Sequence, residues 1–147
     1  MSESRRSEDR PAAFISEYGK PLPQPSPVSR PFWEAAKRHE LTLQRCTACG
    51  QFIYYPRPRC PHCFSDRLEW KPVSGRGTIY SYTVSRYSPT PAFKEVPFVL
   101  AIVELAEGPR MTTNIVADPA QVKIGMPVTV AFDDVTPECT LVKFKPA

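Results

Sequence analysis

Residues 45–63 read Arg-Cys-Thr-Ala-Cys-Gly-Gln-Phe-Ile-Tyr-Tyr-Pro-Arg-Pro-Arg-Cys-Pro-His-Cys. Two Cys-x-x-Cys pairs, Cys46 with Cys49 and Cys60 with Cys63, stand ten residues apart. Four soft thiolates in two close pairs match the ligand set of one tetrahedral Zn²⁺. Such a site is closed, with no position left for water or substrate, so it predicts structural zinc. Two pairs in one short segment are also hard to explain as a thioredoxin-type redox dithiol. Gly50 follows the first pair, where a positive φ is useful; Phe64 follows the second, which makes that knuckle the less ideal of the two. His62 lies inside the second pair and could compete as a ligand, but Cys63 completes the spacing, and His62 is read as exposed.

Outward from the cysteines, Leu41-Thr42-Leu43-Gln44 alternates and reads as a strand leading into the first pair. Gln51 to Tyr55 reads as the returning strand, and Pro56, Pro58 and Pro61 mark the loop to the second pair. The sum is a zinc ribbon. Upstream, Pro31 suits the first turn of a helix over about 31–39, with Glu34 complementing its positive end. Phe32, Ala35, Ala36 and His39 share one face, Trp33 adds a second apolar edge, and His39 is placed at the C-terminus, where positive charge is favourable. Two large aromatics on so short a helix serve packing or docking on another protein. Before it, Pro21, Pro23, Pro25 and Pro27 fall at alternate positions, so 1–29 reads as a Pro-rich flexible tail.

Beyond Trp70 the pattern is β. Strands are predicted over Thr78–Ser85, Phe98–Leu105, Met111–Val116, Val128–Phe132 and Thr140–Phe144, with turns at Gly75-Arg76-Gly77, Gly108-Pro109, Asp118-Pro119 and Gly125-Met126-Pro127. Five short strands without a strong helix fit a small barrel of the OB type, with an open sandwich as the competing arrangement. The division is therefore a tail at 1–29, helix and zinc ribbon at 30–70, and an OB-fold domain at 71–147.

The chain has 147 residues, 41% hydrophobic, with 18 prolines against 6 glycines. That suits many short segments, and small modules often need a staple such as a metal. The net charge of +4 is uneven: residues 37–94 carry ten basic and three acidic side chains, and residues 95–147 four basic and seven acidic. A basic middle suggests an anionic partner near the cysteines. Met1 to Arg6 lacks the apolar stretch of a signal peptide, and no run of about 18 apolar residues exists for a membrane span. Five cysteines, four at metal spacing, favour a reducing cytoplasm over a disulfide framework.

Enzyme signatures are lacking. Gly75-x-Gly77 stops short of a phosphate loop, and neither Gly-x-Ser-x-Gly nor His-Glu-x-x-His occurs. Asp133-Asp134 reads as a solvated turn. Cys139 reads as a small buried side chain near the last strand. Tyr54, Tyr55, Arg57, Arg59, Arg76, Tyr80, Tyr82, Arg86 and Tyr87 mingle aromatic and basic character. On an OB barrel such a mixture stacks bases along a phosphate chain, grips a single nucleotide-like cofactor, or merely fills one strand face.

Several stretches together resemble a known family: Pro31-Phe32-Trp33, Leu43-Gln44-Arg45-Cys46-x-x-Cys49-Gly50, Pro56-Arg57-x-x-Cys60-Pro61-x-Cys63, Trp70, Ser74-Gly75-Arg76-Gly77-Thr78-Ile79-Tyr80-Ser81-Tyr82, Ala101-Ile102-Val103-Glu104-Leu105 and Gly125-Met126-Pro127-Val128. The chain is similar, over about 30–145, to the acyl-CoA-associated zinc-ribbon plus OB-fold proteins known as domain of unknown function thirty-five. The resemblance implies a helical element, a rubredoxin-like ribbon and a C-terminal OB barrel. It also implies a non-catalytic accessory subunit of a thiolase-superfamily or related acyl-CoA enzyme, in a hetero-oligomer whose catalytic groups belong to the partner. The expected ligands are structural Zn²⁺ on Cys46, Cys49, Cys60 and Cys63, and CoA or acyl-CoA shared with the partner. Arg57, Arg59 and Arg76 are the candidates for its phosphates or for acidic partner residues. A single-stranded nucleic-acid binder and a pure protein scaffold are the alternatives.

Overall fold

Ser29 and Pro31 set the start of helix α1, Arg30–Lys37. Ser26 and Ser29 exchange backbone-to-hydroxyl hydrogen bonds of 2.8 and 3.1 Å, and the Phe32 N–H donates to the Ser29 carbonyl. A computed structural model describes residues 20–88 and 95–147 of the chain. The predicted tail therefore lies outside the described residues as far as residue 19, and residues 21–26 form neither helix nor strand. The helix is shorter than the predicted 31–39, and Glu34 lies beyond its first turn. It stops because His39 takes φ +60° while its N–H and that of Glu40 cap the carbonyls of Ala36 and Ala35. This is the paired bonding of a Schellman end, with histidine where glycine is usual.

Phe32, Ala35 and Ala36 are the buried face of α1. The helix packs against the last strand of the chain and against the first strand of a three-stranded antiparallel sheet of order β2-β1-β3, comprising β1 (Thr42–Cys46), β2 (Phe52–Ile53) and β3 (Leu68–Pro72). The returning strand is shorter than expected, and β3 is an addition that pairs along the whole of β1, from Thr42 opposite Pro72 to Cys46 opposite Leu68. Pro72 is tolerated because it ends an edge strand, where no ladder donor is needed.

The remaining five strands close into a barrel of order β4-β5-β6-β8-β7: β4 (Arg76–Ser85), β5 (Phe98–Leu105), β6 (Arg110–Ile115), β7 (Pro127–Thr136) and β8 (Cys139–Pro146). Closure removes the sandwich alternative. β6 meets β8 in parallel through Ile115 and Phe144, and β4 meets β7 at Arg76–Thr78. Inward residues alternate along β5, where Val99, Ala101, Val103 and Leu105 are buried. Phe32, Leu41 and Leu43 join these barrel residues in one hydrophobic cluster.

Gly77 sits where β4 touches both β5 and β7; a Cβ there would lie 2.6 Å from the Glu104 carbonyl oxygen. In β4 the register shifts between Ile79 and Ser81, leaving Tyr80 as the extra residue of a bulge. Tyr80 is consequently exposed, with the Arg110 guanidinium 3.7 Å over its ring, whereas Tyr82 packs against the core. The two tyrosines do not share a face, so this strand offers no paired stacking platform. Asp133 and Asp134 are not in a turn but within β7; Asp133 accepts from Lys143 at 2.6 Å. Cys139 opens β8 and is half-buried rather than buried.

Candidate metal centre and its two knuckles

Each Cys-x-x-Cys pair forms the same turn. The Cys46 N–H donates to the Gln51 carbonyl and the Gly50 N–H returns to Cys46; equivalently, Cys60 donates to Ser65 and Phe64 returns to Cys60. Both turns need a residue of positive φ after the second cysteine, and both have one: Gly50 at +78° and Phe64 at +62°. The Phe64 knuckle is thus formed as completely as the glycine one, at the strain of a left-handed phenylalanine, about 1–2 kcal/mol. Sequence reading identified the position but not that the aromatic would adopt this conformation.

The turns bring the four Sγ atoms within 4.8 Å of one another. Cys46 to Cys63 and Cys49 to Cys60 are each 3.6 Å. A disulfide would require about 2.05 Å, whereas four sulfurs around a Zn²⁺ at about 2.3 Å lie about 3.8 Å apart. The geometry therefore fits a tetrahedral divalent metal. Cys46 and Cys60 are buried; Cys49 and Cys63 are solvent-exposed residues whose sulfurs still belong to the cluster.

Protonation points the same way. The Cys49 N–H, and less strongly that of Ala48, hold the Cys46 thiol down to about 7 against desolvation. At Cys63 the Ser65 N–H favours the thiolate, but desolvation and three neighbouring thiols push the group up to about 12. Cys49 is likewise raised: desolvation and nearby sulfur outweigh the bond from the Gln51 N–H. Crowding beside Cys46 thus disfavours the thiolates of Cys49 and Cys63, and a divalent cation removes that penalty.

Gln44 is a structural residue with no clear signal in the sequence. It is 5% exposed at an inward position of β1. Its Nε2 donates to the Arg57 carbonyl at 2.9 Å and its Oε1 accepts from the Arg57 N–H at 2.8 Å. That pair tethers the loop joining the knuckles. Arg57 and Arg59 lie exposed on this loop, where Arg59 Nη1 donates to the Phe64 carbonyl at 3.2 Å. Arg76, the third candidate, is exposed at the start of β4, on the barrel. Neither Arg57 nor Arg76 forms an ion pair among the described residues. His62 is exposed, as expected, and its N–H donates to Cys60 Sγ at 3.3 Å.

Away from the cysteines, His39 Nε2 lies 2.8 Å from Asp134 Oδ2, and Thr140 Oγ1 donates to Asp134 Oδ1. The His39 ring stacks on Phe132 at 5.1 Å. Histidine and hydroxyl both bond the carboxylate, not each other, so the trio lacks the base-to-nucleophile contact of a catalytic triad. It joins the end of α1 to β7 and β8. No helix among the described residues is long and apolar enough to cross a membrane.

Two family models match the chain: the ChsH2 rubredoxin-like zinc ribbon domain over residues 33–69 and the ChsH2 C-terminal OB-fold domain over residues 70–133. A "probable enoyl-CoA hydratase alpha subunit" of Thermomonospora curvata is 47% identical over 118 residues, covering 79% of this chain and 37% of that protein. The chain thus spans little more than a third of that curated relative. A "DUF35 domain-containing scaffold protein" of Methanothermobacter thermautotrophicus is 42% identical over 105 residues, 69% of this chain and 78% of that one. A solved structure described as "Ltp2-ChsH2(DUF35) aldolase" superposes with a TM-score of 0.76 at 42% identity, over 84% of this chain and 98% of the matched one. With its ribbon, its closed barrel and these relatives, the chain belongs to the DUF35 family of ChsH2-type zinc-ribbon and OB-fold proteins.

Proposed function

We propose that this protein is a non-catalytic accessory subunit that binds a thiolase-like or other acyl-CoA enzyme and helps hold the CoA thioester. The observation that carries the reading is the thiol cluster of a ribbon built on the barrel's own core. All four sulfurs face one another. Cys46, Cys49, Cys60 and Cys63 then hold a structural Zn²⁺, which rigidifies the ribbon (30–70) beside the barrel (71–147) and leaves chemistry to the partner. The names of relatives support this direction: one is a hydratase subunit, one a scaffold, and one a component of an aldolase. Arg57, Arg59 and Arg76 are exposed cations available for CoA phosphates or partner carboxylates. The setting proposed is the cytoplasm, where the thiols stay reduced.

The test is co-expression with the thiolase-superfamily and enoyl-CoA hydratase subunits of the same organism. The expected result is a stable complex whose turnover falls on removing this chain, and whose melting temperature rises with CoA. A partner fully active and stable alone, or turnover by this chain in isolation, refutes the reading. A rise in melting temperature that is absent with CoA but present with oligonucleotides, and steeply salt-dependent, would favour nucleic acid instead.

A further inference from the structure

The two knuckles share one backbone turn but not one residue type. Glycine adopts φ +78° freely at position 50, whereas Phe64 adopts φ +62° against the clash of its Cβ with the backbone. Burial does not offset that strain, because Phe64 is 74% exposed. Its ring meets no aromatic or guanidinium partner among the described residues. The free protein thus bears two costs at one residue, a left-handed backbone and an apolar ring in water. Backbone strain of this kind clusters at ligand clamps and switch regions, where binding uses it.

The surroundings indicate what would be bound. The Phe64 carbonyl is held by Arg59, and Arg57 and Arg67 are exposed nearby in sequence, with Asp66 the only acid between residues 57 and 67. The net +7 of residues 37–94 remains +5 after the −2 of a zinc tetrathiolate. We propose that Phe64 is the anchor of a protein-docking surface on the second knuckle. It inserts into an apolar pocket of the acyl-CoA enzyme subunit, and carboxylates on the pocket rim meet Arg57, Arg59 and Arg67. The assignment rests on the accessory-subunit reading and locates its contact. An aromatic fixed by a metal-clamped turn loses little freedom on binding and suits the centre of an interface, with the Arg59 guanidinium beside it.

The probes are the purified thiolase-superfamily and enoyl-CoA hydratase subunits of the source organism. Each is titrated calorimetrically with zinc-loaded wild type, Phe64→Gly and Phe64→Asn. A subunit that binds the wild type is expected to bind both variants at least about thirtyfold more weakly. Zinc content should stay at that of the wild type and the melting temperature should hold or rise, because glycine and asparagine both tolerate the left-handed backbone. Affinity equal to wild type in both variants overturns the proposal while leaving the accessory role standing. Zinc loss or a lower melting temperature in Phe64→Gly makes the residue a clamp of its own knuckle, and also overturns it. If no subunit binds the wild type, the accessory reading itself fails and the docking surface with it.

Discussion

The ribbon and the barrel solve the problem of stability by opposite means. The knuckle end of the ribbon has a satellite cluster of Ile53 beside Cys46 and Cys60, with Leu68 packed against them, whereas Phe32, Leu41 and Leu43 at the other end belong to the barrel's core. The barrel closes on Ile79, Val99, Val103, Leu105, Met111, Val128 and Phe144, all nearly inaccessible to solvent. A knuckle end with so little apolar surface does not offset the entropy of ordering its chain, and on the proposed reading a metal supplies the difference. A closed barrel removes its edges and gathers its inward side chains into one continuous core, and needs none. The contrast teaches where each half is vulnerable: the ribbon to loss of a ligand, the barrel to loss of fit.

The largest effect should therefore come from the cysteines. Cys60→Ser, or complete chelation, is expected to unfold the ribbon, because thiolate–zinc binding supplies much of its folding energy, about 10 kcal/mol or more in isolated fingers. Hydrogen exchange by NMR should show protection lost over β1–β3 and kept in β5 and β6. Retained protection in the ribbon without metal would erase the contrast. Next comes Gly77→Ala in the barrel, where the new methyl meets the Glu104 carbonyl at 2.6 Å. Overpacking against backbone should cost about 2–3 kcal/mol in urea denaturation, with zinc content unchanged. A loss below 0.5 kcal/mol on that overpacking scale would mean that β5 yields more readily than its pairing suggests.

A smaller effect tests the loop between the knuckles. Gln44→Leu strands the Arg57 N–H and carbonyl, and should cost about 1–3 kcal/mol and speed zinc transfer to a chelator. Unchanged transfer kinetics would show that zinc alone organises the loop. The smallest effect concerns the join between the halves. The bond from Thr140, and then that from His39, hold the Asp134 carboxyl below its usual range. A depressed folded value stabilises the protein above the unfolded carboxylate value near pH 4, and that contribution is lost as pH falls through the folded value. Wild type should thus lose more stability than Asp134→Asn between pH 6 and 3 on that titration argument, by a small margin because the pair is exposed. Parallel pH profiles would remove the carboxylate from the joint.

The four-thiol cluster was legible in the sequence because the Cys-x-x-Cys spacing is local, and two tight turns can satisfy it without help from the rest of the chain. The β5 strand, Phe98–Leu105, was legible to the residue for a related reason: a short, nearly unbroken apolar run marks a central strand locally, although which of its side chains face inward shows only in the structure. Legibility failed where one residue's conformation depends on distant neighbours. β3 escaped notice because its partner, β1, lies more than twenty residues upstream. The bulge at Tyr80 reversed the facing of two tyrosines that strict alternation places together. Asp133 and Asp134 looked like a turn because nothing local reveals Lys143 and Thr140 across the ladder.

Residue order alone determined the four-thiol cluster, the ribbon-then-barrel sequence of parts and most strand positions, since each follows from patterns carried within a short stretch of chain, 17 residues from first to last cysteine at the most. Only the tertiary structure decided that α1 and β1 share the barrel's core, that Gln44 holds the knuckle loop, and that Phe64 takes a left-handed backbone while its ring faces water. Those outcomes depend on which surfaces meet after the chain has closed on itself, and contacts across such distances leave no period or spacing behind.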